Sequence, residues 1–367
     1  MVFNLRTFSF TESVEDDPTP PKSFSLKELR IATHNFSRDN LLHEGIIGKV
    51  YRGRLADGLL VAVKRAISVN QWMEELFKAQ VQVGRTVSMH RNVLYLRGFC
   101  RTKKELLLVY PLMINNSLSY HLERRPDRST QPLDWTTRKR IALGVARGLA
   151  HLHDQGGFWR ALIVPYGNAK KETIQWPRVE HPMRVSSSSQ GEDSDDFDSY
   201  SQTYDLYEEI YVDTTYVCGR LGFIAPEYLH TRKCTLKNDV FAYGKMLLEL
   251  ISGQSILKLD VLAYNENLSL EEWIGGFMNK NELERVIDPN LQGNYAEEEA
   301  EQLVRLALLC ADGNPSVRPK MSKVVTMIKS QMNRQDPSSR INWSGTEYDS
   351  TPYYSFPPSP SLSLETC

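Results

Sequence analysis

The sequence predicts an α+β protein of two lobes, a small β-rich one followed by a larger helical one. Three observations carry this. From Leu41 to Pro111 the texture is that of strands and tight turns. After Pro132 it becomes helical, with Ile141, Val145, Leu149 and Leu152 at i, i+4, i+8 and i+11 on one face. Four more helical stretches follow, at about 239–252, 268–279, 297–311 and 320–332.

Taken in order, residues 1–23 are polar, contain Pro18-Thr19-Pro20-Pro21 and read as a disordered leader. Ser25-Leu26-Lys27-Glu28 is a capping box that opens a short helix, the serine and the glutamate each satisfying a free backbone N–H of the first turn. Leu55-Ala56-Asp57-Gly58-Leu59 reads as strand, Asp-Gly turn and strand. A helix is expected over 72–87, and apolar runs at 93–100 and 105–111 complete a small lobe of about 24–113. The helical lobe is expected over about 114–333, its long helix starting near Asp134. Within it, about 156–213 is a divergent acidic insert: from Gln190 to Val217 there are nine acids, five tyrosines and no Lys, Arg or His. So much charge of one sign opposes collapse, and a mobile loop is expected there. Residues 334–367, rich in Ser, Pro and Tyr, read as a disordered tail.

Composition narrows the function. Lys+Arg 44 against Asp+Glu 45 gives a net charge of −1, which argues against nucleic acid as a partner. Five cysteines, odd in number and never in a C-x-x-C pair, read as free thiols of a reducing compartment, without a zinc site. The longest apolar run, Leu106 to Ile114, is far short of the roughly 20 residues of a membrane helix. Neither end carries a signal-peptide, myristoylation or prenylation pattern, so no direct membrane insertion is expected.

Several stretches resemble the plant leucine-rich-repeat receptor kinases, most closely the somatic-embryogenesis receptor kinase group. They include Phe24 to Phe36, Gly48-Lys49-Val50-Tyr51 through Gly58, His90-Arg91-Asn92 through Pro111, Ile224-Ala225-Pro226-Glu227-Tyr228-Leu229, Lys237 to Gly244 and Arg318-Pro319-Lys320-Met321. The resemblance covers roughly 24–330 with a gap at about 156–212. It implies a bilobal protein-kinase-like fold and a protein serine/threonine kinase ancestry. The family's extracellular repeats and membrane helix have no counterpart, so a cytoplasmic kinase-like domain is expected, recruited to the plasma membrane by a receptor partner.

Phosphoryl transfer needs a phosphate cradle, a positioned lysine, metal-binding carboxylates and a base for the attacking hydroxyl. The glycine-rich hairpin of the family, G-x-G-x-x-G-x-V, reads here His43-Glu44-Gly45-Ile46-Ile47-Gly48-Lys49-Val50, keeping Gly45 and Gly48 but not the first glycine. Lys64 of Val61-Ala62-Val63-Lys64 matches the lysine of the α- and β-phosphates. Its helix glutamate should close the pattern F-x-x-E, yet Phe77-Lys78-Ala79-Gln80 supplies Gln80, and Glu74 and Glu75 come too early. The catalytic H-R-D-x-x-x-x-N is missing: its aspartate falls on Ile163 or Val164, and no aspartate lies between Asp154 and Asp193. Losing a general base costs about 10²–10⁴ in rate. Asn168 is a weak imitation of the metal-binding asparagine, and Asp196-Phe197-Asp198 of the metal-binding Asp-Phe-Gly.

The resemblance further matches Glu227 and Arg318 to a buried ion pair, Asp239 to a residue bracing the catalytic loop, and Thr214-Thr215 to activation-segment threonines. Arg220 stands where a substrate-positioning threonine is expected. An adenine slot is implied at Leu42, Val50, Ala62 and Met113, with Gly45, Gly48 and Lys64 on the phosphate side. ATP binding is expected to be weak, with no metal and no catalytic residues, or the slot is plugged by Ile46 or Ile47. The leading reading is a catalytically inactive kinase-like regulator or scaffold that binds receptor-like kinases or other signalling kinases. The alternatives are a weak or atypical ATP-dependent serine/threonine kinase, and a family kinase whose segment 156–212 is misread.

Overall fold

The computed structural model describes residues 20–45, 47–87, 89–114, 117–122, 132–154, 169–175, 206–213 and 219–333. The small lobe is built on a six-stranded sheet of β1 (Lys22–Ser23), β2 (Leu41–Gly45), β3 (Gly48–Arg54), β4 (Leu60–Ala66), β5 (Gly98–Arg101) and β6 (Leu106–Pro111), in the order β1-β5-β6-β4-β3-β2. All neighbours are antiparallel except β1 with β5. Strand β6 shows why its sequence is unbroken apolar. Successive side chains point to opposite faces. Leu107 and Val109 join Phe24, Leu29, Val61, Val63 and Cys100 on one face, while Leu106 and Leu108 join Met73, Phe77, Val81 and Leu96 on the other. Helix α1 (Leu26–Ala32) covers the first face and α2 (Gln71–Thr86) the second.

The capping box forms as expected: Ser25 Oγ accepts from Glu28 N at 3.1 Å, and Ser25 N donates to Glu28 Oε2 at 2.7 Å. The chain enters the small lobe before Phe24, however. Lys22 N donates to Arg97 O at 2.9 Å. A Cβ on Gly98 would stand 2.3 Å from Lys22 O, so β1 can approach only a glycine there.

The large lobe holds α3 (Leu118–Leu122), α4 (Trp135–Asp154), α5 (Pro226–Thr231), α6 (Leu236–Ser252), α7 (Ile256–Asn265), α8 (Leu270–Asn279), α9 (Glu297–Cys310) and α10 (Met321–Asn333). Helix α6 is central. Its Tyr243 hydroxyl donates to Ala142 O of α4 at 3.1 Å. On the other side, a Cβ on Gly244 would stand 2.6 Å from Ala307 O of α9, so the two backbones pack in direct contact. Leu143, Val145 and Leu149 of α4 and Leu303, Leu306, Ala307 and Cys310 of α9 share one core with α6.

The acidic insert departs from the expected mobile loop. Strands β7 (Ala169–Gln175) and β8 (Leu206–Asp213) pair antiparallel over seven residue pairs, from Ala169↔Val212 to Gln175↔Leu206, and β9 (Lys233–Cys234) extends the sheet. The β-forming Tyr207, Ile210, Tyr211 and Val212 explain the strand. The leader, the rest of the insert and the tail lie outside the described residues. Cys100, Cys234 and Cys310 are buried free thiols, and burial pushes that of Cys310 up to about 12. Among the described residues, no helix is long and apolar enough to cross a membrane.

Two buried ion pairs hold the large lobe. Arg318 meets Glu227 with two bonds, at 2.7 and 2.8 Å, and Arg138 meets Asp288 at 2.5 Å. The lobes join where residues 90–92 lie on α4. A Cβ on Gly148 would stand 2.7 Å from Asn92 O, and the His90 ring stacks on His151 with centroids 4.6 Å apart. Burial, His151, Arg147 and Arg91 together lower the His90 pKa to about 4, against 6.5 for a free histidine.

Two outcomes are expected. Arg318→Met leaves a buried carboxylate unpaired and lowers stability by about 3–5 kcal/mol in urea titration. Between pH 6.5 and 4 the unfolded His90 binds more protons than the folded one. Stability is therefore lost as pH falls through that window, and His90→Phe, which keeps an aromatic ring on His151, flattens the slope in thermal melts.

Candidate functional site

The candidate site lies under the β2–β3 hairpin, on the sheet face that α2 covers. Register places Val50 opposite Lys64, Lys64 opposite Leu108 and Ala62 opposite Tyr110. Directly paired residues share a face, so Val50, Ala62, Lys64, Leu108 and Tyr110 line one surface. Met113 follows β6 at its rim, half-buried. Leu42 is set apart: the β2–β3 register shifts between Leu41 and His43, and Leu42 on that irregularity is 50% exposed.

Two side chains crowd the hairpin. The imidazole of His43 has its Nε2 only 3.1 Å from where a Cβ on Gly45 would be. Glu44 adds a carboxylate, and Lys49 across the hairpin neutralises it at 2.8 Å. Gly48 has a separate reason to be glycine. A Cβ there would stand 2.2 Å from Arg65 O, so β3 could not pair closely with β4. Ile47 turns inward and packs on the core of Met73, Phe77 and Leu108, on the same side as Lys64; Ile46 lies outside the described residues.

Lys64 makes no ion pair or hydrogen bond among the described residues, and burial, with no opposing charge, lowers its pKa. Gln80 is engaged elsewhere: its Oε1 accepts from the Tyr110 hydroxyl at 3.1 Å, and its Nε2 donates to Leu76 O at 3.3 Å. Burial raises the pKa of Tyr110, which keeps its proton available for that bond. The Gln80–Tyr110 bond was not foreseen, although register alone puts Tyr110 on the Ala62 side of the sheet. Glu74 pairs with Arg101 at 2.6 Å, away from Lys64.

In the large lobe, Asp239 Oδ2 lies 3.1 Å from His153 Nε2 at the end of α4. Arg220 reaches Glu249 at 3.6 Å and lies over the Phe223 ring at 5.0 Å. Ile163, Val164, Asn168, Asp196-Phe197-Asp198 and Thr214-Thr215 lie outside the described residues. The geometry therefore offers one largely apolar sheet face bearing a partly buried lysine, beside a hairpin crowded by an imidazole and a carboxylate.

A sheet lobe joined to a helical lobe, with a lysine strand under a glycine hairpin, defines a bilobal protein-kinase fold. Residues 36–163 and 202–328 match the family described as protein tyrosine and serine/threonine kinase, and the chain belongs to that family. It is 38% identical over 316 residues to a probable LRR receptor-like serine/threonine-protein kinase of Arabidopsis thaliana, covering 84% of this chain and 48% of that one. Identity and coverage are the same against the LRR receptor kinase SERK2 of Oryza sativa subsp. japonica. The chain thus spans about half the length of these curated relatives.

An unpaired, partly buried ammonium is a cost to folding. Unfolded lysine, near 10.5, holds its proton more tightly than folded Lys64, so the charge opposes folding at neutral pH. Lys64→Met is therefore expected to raise the melting temperature, as read in thermal melts at neutral pH.

Proposed function

We propose that this chain is a kinase-fold signalling protein that acts by binding other kinases rather than by transferring phosphate. The observation that carries this reading is the unpaired Lys64, with Gln80 in the place of its acid and bonded to Tyr110. A lysine without that carboxylate is not held against the α- and β-phosphates. The absence of any aspartate between Asp154 and Asp193 supports the same reading, since it removes the general base. The crowding of the hairpin by His43 and Glu44 supports weak ATP binding. Receptor-like kinases of the leucine-rich-repeat class, the somatic-embryogenesis group among them, are the proposed partners. Recruitment through them would bring this domain to the plasma membrane from the cytoplasmic side.

A second reading, an active serine/threonine kinase, is favoured by the printed names of the relatives and by the retention of Lys64 itself. Radiolabelled ATP separates the two. Incorporation into the chain or a generic acceptor is expected to stay at background with Mg²⁺ or Mn²⁺, and signal abolished by Lys64→Ala would establish the active reading. ATP is expected to shift the melting curve little, and equally with and without Mg²⁺.

A further inference from the structure

Helix α7 is fixed to the large lobe by one face and bare on another. Ile256, Leu259 and Ala263 are buried, and Ile256 N donates to Glu249 Oε1 at 2.9 Å. On the other side Leu257, Val261 and Tyr264 are 40%, 57% and 78% exposed. Their i, i+4, i+7 spacing makes them one stripe. Leu221, 70% exposed, extends it at one end: a Cβ on its neighbour Gly222 would stand 3.3 Å from Leu257 Cδ2. Leu268, 41% exposed, extends it past the end of the helix. A contiguous exposed apolar stripe on a rigid helix marks an interaction surface.

The charges beside the stripe identify the occupant. Turning 100° per residue, Lys258 falls on one edge of the stripe and Asp260 on the other. Lys258 is exposed and Asp260 half-buried, and neither makes an ion pair among the described residues. Lys245 attracts the Asp260 carboxylate but is itself bonded to Glu271 at 3.0 Å, and Glu271 repels that carboxylate. One unpaired charge of each sign on opposite edges is self-complementary. Two copies set side by side about a two-fold axis along α7 bring each Lys258 against the other copy's Asp260, with the apolar stripes between them. A lipid surface would call for cations on both edges.

We propose that α7 is a homotypic docking surface, through which two copies of this chain pair with their α7 helices parallel. Five exposed apolar residues are few against the roughly 20–30 residues a side of a standard interface, so the dimer is weak and concentration-dependent.

Sedimentation equilibrium of the full chain, from low micromolar to several hundred micromolar, tests this. The wild type is expected to show a monomer–dimer equilibrium, weakened about tenfold or more by Val261→Glu with the melting temperature unchanged. Lys258→Glu alone and Asp260→Lys alone each set like charges together and are expected to remain monomeric. Mixed in equal amounts, they restore both ion pairs and are expected to dimerise. A wild type monomeric throughout the range overturns the proposal, as does association that Val261→Glu leaves unchanged. Failure of the mixture to associate overturns the parallel arrangement. Circular dichroism of each variant identifies any that fails to fold, and Tyr264→Ala then replaces it with the same expected weakening.

Discussion

Arg318 has no exposed surface, and all its donor nitrogens are used: two bonds to Glu227, others to the carbonyls of Asp312 and Lys237. Glu227 also accepts from Asn238 Nδ2 at 2.7 Å, and Lys237 Nζ donates back to Arg318 O. One ion pair thus ties together α5, the start of α6 and the turn that leads into α10. Removing two charges from water is costly, and only such complete bonding offsets it. The position of α6 follows, and with it the core shared by α4 and α9. Asp288, held by Arg138, occupies the space that any Cβ on Gly253 would need, 2.3 Å from its Oδ2, and so sets where α6 ends.

This network joins elements of the large lobe alone, whereas the hairpin and the lysine strand belong to the small one. The buried pairs fail together if one partner is lost, so substitution at Arg318 or Glu227 is severe. His43, Glu44 and Gln80 stand at half-exposed or peripheral positions where a change costs little stability. Lys64 is the exception, a partly buried charge without a carboxylate partner among the described residues.

Much of the fold was legible because local and long-range signals agree. The capping box at Ser25, the Asp-Gly turn and the apolar faces of α4 and α9 each state one element in a few residues. Helices α3, α5 and α7 were missed for physical reasons. The first two span one or two turns, too short for periodicity to register, and α7 carries apolar residues on both faces, which hides its amphipathic pattern. The strand at Leu206–Asp213 was missed because charge density was weighed above β propensity, and a strand pairs through its backbone whatever its net charge. At the site, motif spacing names candidate residues but not their contacts. That Gln80 bonds Tyr110 depends on how α2 lies across β6, which no spacing encodes.

The Gln80–Tyr110 bond also bears on how such a domain would signal. Where a strand lysine pairs with a helix acid, the ion pair couples the helix to the nucleotide site, since the same lysine also meets phosphate. Here α2 is held instead by Met73, Phe77 and Val81 against Leu106 and Leu108, and by an uncharged bond that involves no group on the phosphate side. Leu108 and Tyr110, which hold α2, also lie on the sheet face that carries Lys64, so anything that occupies that face would bear on α2 through packing and one neutral hydrogen bond rather than through an ion pair.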